Sequence, residues 1–177
     1  MSSQLEEQEK KERLQNIDPY DFENFVGELW EKEGWTTSVS QDTNDQGIDV
    51  IADKKGTIDQ RLAIQAKRYS AGNKVGRPKI QQYHSLKEQD TNADAAVVVT
   101  TSGFTAHAKN WAREHNVKLV DGDDLVEMVE RHGAHDLLDE YAPPLSEIDE
   151  EPTKSTSTEQ SSDSKSSTTS TSPTTTG

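Results

Sequence analysis

Asp49, Gln65 and Lys67 are the residues of this chain whose types and spacing suit chemistry on a charged ester. The runs Gly47 to Ala52 and Arg61 to Lys67 read as strands, joined by a polar turn around Lys54, Lys55 and Gly56, so they pair as a hairpin centred near Thr57. That register sets Asp49 opposite Gln65, and a side-chain period of two brings Lys67 to the same face. The other face carries Ile48, Val50, Leu62, Ile64 and Ala66, enough for a core. Charges placed against an apolar sheet are unfavourable unless they bind something. A structural ion pair between Asp49 and Lys67 is the plain explanation; phosphodiester hydrolysis is the functional one. In the second, the Asp49 carboxylate and the Gln65 amide oxygen hold Mg²⁺, or Mn²⁺, together with waters and the phosphate. The metal lowers the pKa of a bound water and polarises the phosphate, while Lys67 orients or deprotonates that water and stabilises the transition state.

The elements around this hairpin alternate in type. Asp18-Pro19 is a helix start, with a side-chain acceptor at the cap and a preset φ after it. The helix presents Phe22, Phe25, Val26, Leu29 and Trp30 at three- and four-residue spacing and stops at Gly34. A strand from Trp35 to Ser40 precedes the hairpin, and a second helix spans about Pro78 to Glu88. The apolar run Ala95 to Val99 predicts a central strand covered on both faces. A third helix after Ser102-Gly103, a strand over Val117 to Val120 and a fourth helix from Asp123 to Arg131 complete an α/β pattern, a mixed four- to five-stranded sheet flanked by helices. Trp30 and Trp111 fall on apolar helical faces and read as core. The expected organisation is a charged extension over 1–17, one domain over 18–142, and a disordered acidic Ser/Thr-rich tail over 143–177. The extension, lacking apolar periodicity, reads either as a frayed helix or as an arm ordered in an assembly.

The net charge of −14 argues at first against a polyanionic partner. The window Gln60 to Lys87 reverses this locally: it has no Asp or Glu, and it carries Arg61, Lys67, Arg68, Lys74, Arg77, Lys79 and Lys87. A solvated face is the bland reading; a phosphate backbone crossing Arg68, Tyr69, Lys74, Arg77 and Lys79 just after the catalytic strand is the other. Tyr69 either stacks on a base or sugar or packs at a strand end. Thr101 and Ser102, between a strand and a helix start, suit either a phosphate or simple helix capping. Dense carboxylates elsewhere resemble proteins of salt-loving organisms, where the Debye length is about 3 Å at 1 M salt. The absence of cysteine fits a reducing compartment, and no apolar run approaches the roughly 20 residues of a membrane span, so the expected location is cytoplasmic. His107, His115, His132 and His135 lack the spacing of a zinc signature.

Five blocks in order carry a resemblance: Phe22-Glu23; Asn44-Asp45-Gln46-Gly47-Ile48-Asp49; Ile64-Gln65-Ala66-Lys67-Arg68-Tyr69; Val97-Val98-Val99-Thr100-Thr101 with Phe104-Thr105; and Leu119-Val120-Asp121-Gly122 before Leu125. Together they resemble the catalytic domain of Mrr-type restriction endonucleases, within the PD-(D/E)xK nuclease superfamily, over roughly residues 18 to 130. The resemblance implies a restriction-endonuclease-like core of four mixed strands, with Asp49 and Gln65 as metal ligands and Lys67 as catalytic lysine. It also implies Glu23 as an active-site carboxylate reaching in from the first helix. Gln65 stands where many superfamily members carry an acid, which is usual in the Mrr branch; it weakens a two-metal site, since Glu23 or Asp45 would have to supply the further carboxylate. Asp45 reads first as an ordinary turn former and only second as an outer metal group. The implied activity is a Mg²⁺-dependent endodeoxyribonuclease restricting foreign or modified DNA. A Holliday-junction or repair nuclease and a non-cleaving DNA-binding module are the alternatives. Double-strand cutting needs two sites, hence a homodimer, and target choice would fall to a separate specificity subunit.

Overall fold

A computed structural model of the chain describes residues 2–40, 47–90 and 92–148. Along it run α1 (Ser2–Gln15), α2 (Pro19–Lys32), β1 (Thr36–Val39), β2 (Val50–Lys54), β3 (Gln60–Lys67), β4 (Lys74–Val75), α3 (Arg77–Asp90) and β5 (Ala95–Thr100). Then come β6 (Gly103–Phe104), α4 (Ala106–Glu114), β7 (Val117–Val120), α5 (Gly122–His132), α6 (His135–Tyr141) and α7 (Leu145–Ile148). Five strands make one mixed sheet in the order β1-β2-β3-β5-β7, antiparallel through β3 and parallel beyond it. β4 and β6 form a separate two-stranded parallel pair that the sequence pattern did not predict. Two residues per strand leave no periodicity to read.

The hairpin pairs Val50 with Ile64 and Ala52 with Leu62, the register expected for a centre at Thr57. Val50, Ala52, Ile64 and Ala66 face one core, built with Phe22, Phe25, Val26 and Leu29 of α2 and Leu125 and Val129 of α5. Each of the larger of these side chains, the Val, Ile, Leu and Phe, contributes about 1.5–3 kcal/mol by leaving water. Leu62 sits at the margin of this core, and Ile48 is half-exposed rather than part of it. β5 is buried along its whole length, with Val97 and Val99 in the first core and Ala96 and Val98 in a second beneath α3 and α4. That two-sided cover explains its unbroken apolar run.

Asp18 caps α2 as its chemistry requires, its side chain accepting from the Tyr20 amide at 2.9 Å. α2 lies so close to β1 that a Cβ on Gly27 would sit 2.8 Å from a Val39 methyl. Trp30 is buried, whereas Trp111 is only half-buried: it stacks on His115 with centroids 3.8 Å apart and meets His84 edge-on. A helix whose apolar face runs to the rim of a small sheet leaves its last aromatic at the surface.

The charged extension is neither frayed nor waiting for an assembly over its described residues, Ser2–Gln15. α1 packs against α5 and α7, with Leu14 fully buried and Ile17 nearly so, both in the first core. Three of its cations pair with carboxylates from the far end of the chain. Lys10 pairs with Glu130, Lys11 with Asp123 at 2.6 Å, and Arg13 with Asp139 at 2.8 Å while also donating to the Ala142 carbonyl at 2.7 Å. No break in packing falls at residue 18. At the other end α7 extends past 142; residues 149–177, which hold most of the expected tail, lie outside the described residues.

Candidate active site

β2 and β3 deliver the site. Asp49 immediately precedes β2 and donates its amide to the carbonyl of Ile64, the residue already paired with Val50, at 2.9 Å, and from there its side chain meets that of Gln65. Three groups converge on its Oδ2: the Gln65 side-chain amide, the Ala66 backbone N–H at 2.8 Å, and the Lys67 ammonium at 3.6 Å. The Asp49 side chain is 13% exposed and that of Lys67 37%, so the carboxylate lies inside and the ammonium at the mouth. Burial raises the Asp49 pKa above its usual range, and the Lys67 charge and the hydrogen bonds from Ala66 and Gln65 only partly offset it.

Gln65 is 3% exposed, and its Oε1 is buried with no hydrogen-bond partner among the described residues. An orphaned buried carbonyl oxygen costs about 1–3 kcal/mol, so its place beside a buried carboxylate asks for a ligand that an oxygen would satisfy. Glu23, the fifth residue of α2, is half-buried and lies within electrostatic reach of both Asp49 and Lys67. Its pKa is raised, first by burial and then by the Asp49 charge, with Lys67 acting the other way. The structure thus brings Asp49, Gln65, Lys67 and Glu23 together. Among the described residues there is no group of three or more His, Asp or Glu able to hold a metal by themselves, and Asp45 lies outside those residues. The histidines are dispersed into other contacts: His132 lies 3.6 Å from Glu33, and His135 3.6 Å from Glu130.

The residues expected along a phosphate track divide into two sets. Lys74, Arg77 and Lys79 are exposed on β4 and the start of α3. Arg68 instead turns inward, its Nη1 donating to the Gln15 carbonyl at 3.0 Å and its Nε buried. Tyr69 is half-buried against the second core. Thr101 and Ser102 are buried: the Thr101 hydroxyl bonds the Tyr69 backbone, the Ser102 hydroxyl lies 3.2 Å from that of Thr100, and Ser102 N–H donates to the Thr100 hydroxyl at 3.3 Å. α4 begins only after Thr105, which caps it at Ala108 N–H, so the capping role belongs to Thr105.

One residue near the site escaped the sequence reading. Tyr83 of α3 is 8% exposed, and its pKa is raised to about 12, by burial first and then by Tyr69 and Asp49. Only its place on the second core brings it there, and no local motif marks it.

Against known proteins, residues 14–129 match the family model of a restriction endonuclease catalytic domain, Mrr_cat. The type IV methyl-directed restriction enzyme EcoKMrr of Escherichia coli strain K12 is 33% identical over 126 residues, 67% of this chain and 40% of that protein. The chain therefore spans well under half the length of this relative. Among solved structures, the DNA modification-dependent restriction endonuclease AspBHI superposes with a TM-score of 0.62 at 23% identity, covering 77% of this chain and 38% of that one. MspJI restriction endonuclease, in complex with a 27-mer oligonucleotide, superposes with a TM-score of 0.50 at 19% identity, covering 71% of this chain and 33% of that one. The mixed sheet flanked by helices is thus the restriction-endonuclease-like fold. With two thirds of its length under the family model, and with Asp49, Gln65 and Lys67 converging where the sequence motifs lie, the chain belongs to the Mrr-type restriction endonuclease catalytic-domain family.

Proposed function

We propose that the chain is a divalent-metal-dependent DNA endonuclease acting in restriction of modified DNA. The observation that carries this reading is the buried Asp49 carboxylate beside the partnerless Gln65 Oε1, with the Lys67 ammonium at the mouth. Two hard oxygens of this kind fit Mg²⁺, which keeps several waters and shares its remaining positions with phosphate oxygens. Asp49 and Gln65 would hold the ion, with Glu23 as a further carboxylate nearby. When bound, it supplies Lewis acidity at the scissile phosphate and a water of lowered pKa. Lys67 orients the attacking water and offsets charge developing on the phosphorane-like transition state. Asp49 holds Lys67 by their ion pair, and the Ala66 N–H holds Asp49.

The test is nicking of supercoiled plasmid, unmethylated and methylated, with Mg²⁺, with Mn²⁺ and with chelator. Cutting that requires metal and prefers methylated plasmid is expected. Metal-independent cutting, or tight DNA binding without cutting under either metal, would replace this reading by a different chemistry or by a binding module.

The exposed cations Lys74, Arg77 and Lys79 are proposed to carry the phosphate backbone. Changing all three to alanine is expected to flatten the slope of log affinity against log salt by about 0.9 per lost contact, measured on duplex DNA in chelator. An unchanged slope would remove this surface from the path of the DNA.

A further inference from the structure

Beyond the end of β3 the chain leaves the sheet, yet the two residues after Lys67 are held as firmly as if it continued. The Thr101 hydroxyl, fully buried, accepts from the Tyr69 N–H at 2.9 Å and donates to the Tyr69 carbonyl at 2.8 Å. One side chain thereby satisfies both backbone groups of a single residue, as a neighbouring strand would. The Thr101 carbonyl in turn accepts from the Gln15 side-chain amide at 3.2 Å, and the Gln15 carbonyl accepts from Arg68 at 3.0 Å. A closed ring results, running from β3 through β5 to the last residue of α1. The N-terminus of α5 presses on it as well: a Cβ on Gly122 would meet the Thr101 carbonyl oxygen at 2.4 Å, and the Gly122 N–H donates to the Ser102 carbonyl at 3.0 Å.

We infer that Thr101 and Gln15 are positioning residues for the Lys67 ammonium, an assignment that rests on the nuclease reading above. Lysine has a long flexible stem, and Lys67 keeps a 3.6 Å separation from Asp49 while 37% exposed. Such an ammonium is placed only as well as its own backbone is fixed. Its neighbour on one side, Ala66, is fixed by donating to Asp49. On the other side the fixing falls to the Thr101 hydroxyl and, through Arg68, to α1. The helix at the start of the chain is thus joined to the catalytic strand by hydrogen bonds, not only by packing.

Steady-state nicking of methylated plasmid over a range of plasmid concentrations tests this, for wild type, Thr101→Val, Thr101→Ser and Gln15→Leu, each assayed well below its own Tm. Valine keeps the shape of threonine and removes both hydrogen bonds. It is expected to lower kcat by about 10- to 100-fold, the scale of a displacement near 1 Å at a reacting centre, with KM within about twofold of wild type. Serine restores the hydroxyl and is expected to recover most of that loss. Gln15→Leu breaks only the link to the Thr101 carbonyl and is expected to lower kcat by a smaller factor. Wild-type kcat in Thr101→Val, or a serine variant as slow as the valine one, overturns the inference while leaving the nuclease reading intact. Should Thr101→Val fail to fold, Gln15→Leu decides: reduced kcat at constant KM supports the ring, and unchanged kcat overturns it. A wild-type protein that cuts no DNA under either metal ends both.

Discussion

Asp49→Asn is expected to give a protein that folds better and cuts about 10³-fold less, or worse. On the proposed metal-dependent reading the loss would follow from weakening the anionic ligand and removing the partner of Lys67, since metal-ion stabilisation supplies several kcal/mol and each 1.36 kcal/mol is tenfold in rate. The gain in stability follows from the sign of the pKa shift. Burial raises the Asp49 pKa above 3.8, so the folded state holds the proton more tightly than the unfolded state. The carboxyl group therefore favours folding most at pH below its unfolded pKa. That contribution is lost as pH rises through the raised folded value, and at neutral pH the bare carboxylate opposes folding. Asparagine keeps the acceptor for the Ala66 N–H without the charge. Calorimetry in chelator should show a higher Tm than wild type at pH 7, the difference narrowing as the pH falls towards 4. A lower Tm at pH 7 would show that the pairing with Lys67 outweighs desolvation. Trading stability for a reactive, partly unsatisfied site is a common bargain of enzymes.

Leu14→Ala is expected to cost a large part of the domain's stability although it lies near the start of the chain. The side chain is fully buried in the first core, and truncating a buried leucine costs about 2–5 kcal/mol through lost transfer energy and the cavity left behind. Urea unfolding should show the midpoint falling accordingly. A change below about 0.5 kcal/mol, the scale of an ordinary surface substitution, would mean that α1 contributes little and that its charged pairs merely decorate the surface. Those pairs are no substitute: Lys11 and Asp123 are largely a surface pair, which is worth about 0–1 kcal/mol.

Local chemistry made part of the fold legible and non-local contacts concealed the rest. The hairpin register was readable because a polar turn and a two-residue period leave one arrangement that buries Val50 and Ile64, and that same arrangement carries Asp49 to Gln65. The helix begun at Asp18-Pro19 and the doubly covered strand β5 were readable for similar reasons. α1 was not, because only Leu14, with Ile17 just beyond the helix, bears its apolar load and its docking rests on partners more than 100 residues away, such as Glu130 and Asp139. Nor could sequence tell that Arg68 turns inward to Gln15 while Lys74, Arg77 and Lys79 stay outside, since all look alike as cations in one window. Thr101 and Ser102 mislead in the same way. A threonine after a buried strand looks like a phosphate contact until the Tyr69 backbone is seen beside it. Asp45 belongs to the segment outside the described residues, so its weighing between turn and site stands as a sequence expectation.

If the nuclease reading and the role inferred for the ring that joins α1 to β3 both hold, the ring would also set when cutting could begin as the chain is made. Strand β3 with its lysine leaves the ribosome early, but Thr101 follows thirty-odd positions later, and the surfaces on which α1 rests, α5 and the Ala142 carbonyl, follow later still. At synthesis speeds of about 5–20 residues per second, seconds separate these events. On the proposed reading, a nascent chain would hold Lys67 slack until α5 and residue 142 have emerged, so that cutting would come late, after most of the fold is in place.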